Sequence, residues 1–293
     1  MERRLHEASM RGDVTSLKEL LEEDPILLTR VITSFEYENP LDIAAMCGHV
    51  MFAELILHEK PELATHVNQK GLCPLHLAAQ GNSIDMVKEL VDANPDVCSL
   101  TDQHGRTPLH LAAMKNRTEI MKILIEKHPK AIQMLAEYQS ETILHLCVKH
   151  NSLDALKLLV DEMRNPHTNT EIFWEGGSIS VNSKDGDGNT ILHLSVARRN
   201  MKIIKYLLNS STGLVEQNAI NNKGFTAMDI LIKSDQRELN DMEIQDILQE
   251  AGVLQSDSIQ QLEGSHHDDQ NPQDGPNNEI SITVAKNKFE EGK

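Results

Sequence analysis

The side chains of this chain best suited to chemistry are its histidines and cysteines, 14 and 4 of them in 293 residues. Four histidines recur in one slot: His76 in Cys73-Pro74-Leu75-His76-Leu77-Ala78-Ala79, His110 in Thr107-Pro108-Leu109-His110-Leu111-Ala112-Ala113, His145 in Thr142-Ile143-Leu144-His145-Leu146-Cys147-Val148, and His193 in Thr190-Ile191-Leu192-His193-Leu194-Ser195-Val196. Such an array invites a metal centre. Zinc, however, needs every ligand at about 2 Å from one ion, whereas equivalent slots on stacked helices lie about 8–10 Å apart. The slot therefore reads as scaffold, with each imidazole bonding a neighbouring loop and capping a helix start. No cofactor or metal is expected. His266-His267-Asp268-Asp269 sits in a polar tail, where ordering would cost much of any metal affinity. Asp185-Gly186-Asp187-Gly188-Asn189 begins like a calcium loop, but its Gly comes two places early and the twelfth position is Val196 rather than Glu. Cys47, Cys73, Cys98 and Cys147 contain no C-x-x-C and read as reduced thiols. No phosphate-cradling loop, no G-x-S-x-G and no Cys/His pair in a nucleophile setting is evident, so no enzyme is expected.

What must position these residues is a repeated unit. Degenerate copies of the slot occur at Leu5-His6-Glu7-Ala8-Ser9, Asn39-Pro40-Leu41-Asp42-Ile43-Ala44-Ala45 and Thr226-Ala227-Met228-Asp229-Ile230-Leu231-Ile232, making seven in phase. Their leading apolar residues step by 34 to 36, with one step of 48. Each copy precedes a turn, a second amphipathic stretch with i, i+3, i+4 apolar spacing, and in most units a Pro break. Between units lie polar fingers of the form Asp/Asn-x-x-Gly-x-Thr: Asn68 to Cys73, Asp102 to Thr107, Asp185 to Thr190, and Asn222 to Thr226. Their glycines supply positive φ, and the Thr can cap the next helix with Pro74 or Pro108 at its first position.

A period near 33 carrying a T-P-L-H-x-A core resembles the ankyrin repeat, over roughly residues 1–252. The expected fold is all-α, a solenoid of about seven helix-turn-helix units with short finger loops and a disordered C-terminal tail. The units are read as 1–38 (N-terminal cap), 39–66, 67–100, 101–135, 136–183 with an inserted loop at 164–182, 184–219 and 220–252 (C-terminal cap), followed by an acidic tail at 253–293. Phe173 and Trp174 lie in the inserted loop, either as partner anchors or folded back over apolar surface.

Aromatic residues are 3 % of the chain against 39 % hydrophobic overall, which suits helix pairs packed through Leu, Ile, Val and Ala. The formal charge is −17. Residues 235–293 hold 14 acidic and 4 basic side chains, so the tail carries most of the excess. Such a balance disfavours direct nucleic-acid binding. No apolar run reaches the roughly 18 residues of a membrane helix, and no signal peptide opens the chain, so a soluble, cytoplasmic protein is expected.

Three finer features narrow the resemblance. They are the entry Arg4-Leu5-His6-Glu7-Ala8, the insertion Phe173-Trp174-Glu175 with its following Val181 to Thr190 stretch, and the closing Asp241 to Leu248 segment. Together these resemble plant ankyrin-repeat proteins of the bian-da and accelerated-cell-death kind, which implies a role in innate immune and defence signalling. Those relatives typically continue into membrane-spanning helices. The alternative expectation is therefore the cytosolic ankyrin portion of a membrane-anchored, channel-like or receptor-like protein at the plasma membrane, truncated here.

In ankyrin arrays, partners meet the finger tips and the residues just after the Leu-His-Leu core. Carried over, the candidate contacts are Lys70, His104, Arg106, Met114, Lys115, Tyr138, Lys149, His150, Arg198, Lys223 and Phe225. Lys and Arg outnumber Glu141 and Asp187 on this face, so a protein partner with an acidic segment is expected. The chain's own acidic tail is a second candidate occupant of the groove, at high effective concentration.

Overall fold

The computed structural model describes residues 1–33, 39–136, 141–164, 179–209, 215–234 and 238–259. Phe173, Trp174, Tyr138 and the acidic segment from residue 260 onward lie outside them. The described chain is all-α, and Met1–Ser256 forms one packed unit. Its helices are α1 (Glu2–Arg11), α2 (Val14–Glu23), α3 (Leu27–Thr33), α4 (Pro40–Cys47), α5 (Val50–Glu59), α6 (Pro74–Gln80), α7 (Ile84–Ala93), α8 (Pro108–Met114) and α9 (Thr118–Lys127). Then come α10 (Ile143–Lys149), α11 (Leu153–Arg164), α12 (Ile191–Ala197), α13 (Met201–Asn209), α14 (Ala227–Ile232) and α15 (Asp241–Glu250). Short 3-10 turns at Pro61–Thr65, Pro95–Ser99 and Pro129–Gln133 follow the second helices, each opening on the Pro that ends helical continuation.

The short first helix of each unit stacks on that of the next: α1 on α4, then α6, α8, α10, α12 and α14. Between these helices and the outer row runs a continuous core of Leu41, Phe52, Leu75, Leu90, Leu109, Leu144, Leu159, Leu192, Ile204 and their neighbours, essentially without exposure. No single unit can bury such a face alone, so stability is a sum of unit and interface contributions. Truncating Phe52 to Ala would remove about 3–5 kcal/mol.

The turn between the paired helices enters the left-handed region. Gly12 and Gly48 supply it early, but Asn116, Asn151 and Arg199 do so later, at φ of 56°, 57° and 52°. Asn tolerates this region. Arg199 does not favour it, and is held there by Asp241 at 2.7 Å and Ser234 at 3.1 Å, which tie α12's turn to α15.

Four of the fingers are Asx turns. The side-chain oxygen of Asn68 accepts the N–H groups of Lys70 and Leu72, and Asp102, Asp185 and Asn221 repeat the pattern. The last finger therefore begins at Asn221, one residue before the Asn222 expected from the sequence. Adjacent fingers pack backbone to backbone, with Asn222 N–H donating to Asp187 O at 3.0 Å. A Cβ on Gly188, at φ 77°, would stand 2.7 Å from that same nitrogen, so both its conformation and its contact require glycine.

The packed unit does not stop at residue 252. Val253 and Ser256 are buried, and Leu254 O accepts the Thr226 hydroxyl at 2.7 Å. Residues 253–256, placed in the tail by the sequence reading, belong to the end of the array.

Candidate protein-binding face

The slot histidines come first, because their geometry decides what they can do. His110 Nδ1 accepts the backbone N–H of Thr107 at 3.2 Å and its hydroxyl at 2.8 Å, while Nε2 meets Met134 O at 3.1 Å. His145 repeats this with Thr142 and Asn189 O, and His193 with Thr190 and Phe225 O. A backbone N–H only donates and a carbonyl only accepts, so the tautomer is set with the proton on Nε2. Each imidazole spans two units and both nitrogens are committed. None has a lone pair left for a metal or for proton abstraction.

His76 differs in one respect, since Cys73 stands where the others have Thr. Cys73 Sγ lies 3.0 Å from His76 Nδ1, the outline of a nucleophile and base that the sequence reading did not anticipate. Both residues are fully buried, and burial pushes the Cys73 thiol up to about 11. A reactive thiolate requires the opposite shift. The pair is the Thr–His cap with sulfur in place of oxygen. Burial also lowers all four slot imidazoles, His110 to about 4. In the last unit Asp229 fills the slot, and its carboxylate accepts the N–H groups of Thr226 and Ser256 at 2.9 and 3.0 Å. An acceptor replaces a donor because the chain beyond presents an N–H there.

The candidate contacts divide into two classes on the face lined by the inner helices and fingers. Arg106 is bound to Asp102, with Nη2 at 2.6 Å from a carboxylate only 1 % exposed. Lys149 is paired with the buried Glu141. Both cations therefore already hold a carboxylate of the fold. Met114 is half-buried, and its carbonyl accepts the Ser152 hydroxyl. Lys70, His104, Lys115, His150, Arg198 and Lys223 are exposed, and none of them forms an ion pair among the described residues.

Lys115, His150 and Arg198 are the C-terminal caps of α8, α10 and α12, one from each of three stacked helices. His150 feels the other two: partial burial lowers it, and the charges of Arg198, Lys115 and Arg106 lower it further against the pull of Glu141. Beyond Arg198 the face opens into a cavity of about 350 Å³, lined by Asp187, Leu194, Ala197, Lys223, Phe225, Ile230 and Lys233. Lys233 Nζ sits 4.1 Å from the centroid of the Phe225 ring, a cation–π contact. Lys233 was missed by the sequence reading, although it stands in the same place after Thr226 as Met114 does after Thr107. A larger cavity of about 540 Å³ lies at Ala45–Gly48 and Gly81–Asp85. Asp85 is its one charged lining residue, so it offers less chemistry than the basic row.

The model for ankyrin repeats in three copies matches residues 5–100 and 94–172, and that for a single ankyrin repeat matches 187–222. The ankyrin repeat-containing protein BDA1 of Arabidopsis thaliana is 28 % identical over 107 residues, covering 36 % of this chain and 23 % of that protein. The chain thus spans about a quarter of the length of the curated relative it matches. The crystal structure of the ankyrin repeat domain of Bcl-3, described as a unique member of the IkappaB protein family, superposes with a TM-score of 0.61 at 19 % identity. That superposition covers 84 % of this chain and 97 % of the Bcl-3 chain. At that identity the likeness concerns the fold. No helix among the described residues is long and apolar enough to cross a membrane.

Proposed function

Because the chain belongs to the ankyrin-repeat family, whose fold is a typical non-catalytic scaffold for protein–protein contact, we propose that its inner-helix face binds an acidic segment of a protein partner in plant defence signalling. The observation that carries this reading is the contrast between committed and uncommitted side chains. The slot histidines, Arg106 and Lys149 are all used within the fold, whereas Lys115, His150, Arg198 and Lys223 line the same face with no ion pair among the described residues. Cations gathered on one face of a protein of net charge −17 favour an encounter with acid and set its orientation. The defence context draws its support from the resemblance to plant ankyrin proteins of the bian-da kind and from the partial match to an Arabidopsis relative.

Charge reversal tests the face. Lys115→Glu with Arg198→Glu slows association with a labelled acidic peptide about tenfold or more at low salt, and the effect fades above the screening range. An unchanged association rate overturns the reading. Arg106→Glu is unsuitable for this purpose, since it would leave the buried Asp102 unpaired.

A further inference from the structure

The basic row has a spacing that the fold itself sets. Lys115, His150 and Arg198 cap three consecutive stacked helices. The cap does not demand a cation, since it is Gly48 in α4 and Gly81 in α6. Stacked helices stand about 8–10 Å apart. A polyproline II segment rises about 3.1 Å per residue with three residues per turn, so every third side chain returns to the same edge after about 9 Å. A β-strand returns a side chain to one face after about 6.8 Å, and falls out of step within two units. Single-stranded nucleic acid carries a charge at each nucleotide, closer than one cation per helix can follow.

We propose that the face reads an extended, polyproline II-like protein segment with a carboxylate at every third residue, the outer acids pairing with Lys115 and Arg198 and the middle one accepting a hydrogen bond from the neutral His150 imidazole. Three residues further, the segment reaches the 350 Å³ cavity, where Leu194, Ile230 and the Phe225 ring receive an apolar side chain. This rests on the reading of the face as a site for acidic protein segments, and adds the register that such a segment must have.

The test uses the full chain and fluorescently labelled peptides of one composition, rich in Pro and Ala. One peptide carries three Glu at i, i+3 and i+6 and a Leu at i+9; its isomer carries the three Glu side by side. The periodic peptide binds about two- to thirtyfold tighter at low salt, the worth of two surface ion pairs. Arg198→Gln and Lys115→Gln, both at exposed positions, remove most of that preference, with circular dichroism confirming that the helices persist. Equal affinity for the two isomers, each weakened by charge reversal, overturns the register and leaves the proposed function standing. Absence of binding by either peptide overturns both. Tighter binding of a helical peptide with acids every seventh residue, or of a single-stranded oligonucleotide of equal charge, also overturns the inference.

Discussion

His145 and His150 stand five residues apart at one end of the same unit, and their surroundings give them opposite roles. His145 is fully buried, with Nδ1 taken by Thr142 and Nε2 by Asn189 O in the next described finger. His150 is exposed past the end of α10, between Lys115 and Arg198. Burial lowers both imidazoles, yet only in His145 are the hydrogen bonds closed. The difference teaches that in this array a conspicuous motif residue is spent on joining units, while the residue that follows the helix is left open to solvent.

The comparison breaks most readily at the slot. His110→Ala leaves the Thr107 N–H and Met134 O without partners in a closed core and should cost about 2–4 kcal/mol, read as a lower urea midpoint. His150→Ala should change stability by less than about 0.5 kcal/mol.

Acid probes the same contrast without mutation. The His110 pKa is lowered by burial to about 4 from 6.5, so below pH 6.5 the unfolded chain takes up a proton that the folded chain refuses. Stability from this group is complete above pH 6.5, falls as pH drops towards 4, and is level below. At pH 5 the loss from His110 alone is on the order of 2 kcal/mol. Urea titrations across that range check it, and a stability flat from pH 7 to 5 contradicts it.

A smaller effect is expected at the finger contact. Gly188→Ala imposes a Cβ at φ 77° against Asn222 N and should cost about 1–3 kcal/mol, measured as a fall in thermal midpoint. Smallest of all is Cys73→Thr, which restores the hydroxyl cap of the other units and should shift stability by less than about 1 kcal/mol.

Much of this was legible because the unit writes itself repeatedly: the Thr cap, the first-position Pro and the Gly of four fingers fall in phase, and helices formed where they indicated. Other features turned on contacts that spacing does not show. Arg106 looked like a free cation until Asp102, the first residue of its own finger, proved to hold it across the turn. Lys149 was counted beside Glu141 as an opposing charge, whereas the two are partners. The last finger slipped by one residue because Asn221 and Asn222 are adjacent and either can begin an Asx turn; only the bonds to Lys223 and Phe225 N–H select Asn221. The array's end was missed because Val253 to Ser256 carries no repeat motif and is recruited by Asp229 and Thr226 instead.

The central claim, that the repeated histidines are closed within the fold, is tested most directly by long-range proton–nitrogen NMR of the imidazoles from pH 7.5 to 5. The account predicts that His76, His110, His145 and His193 hold the Nε2–H tautomer at neutral pH and titrate below the usual histidine range. Tautomer exchange at any of the four, or titration near 6.5, would contradict it.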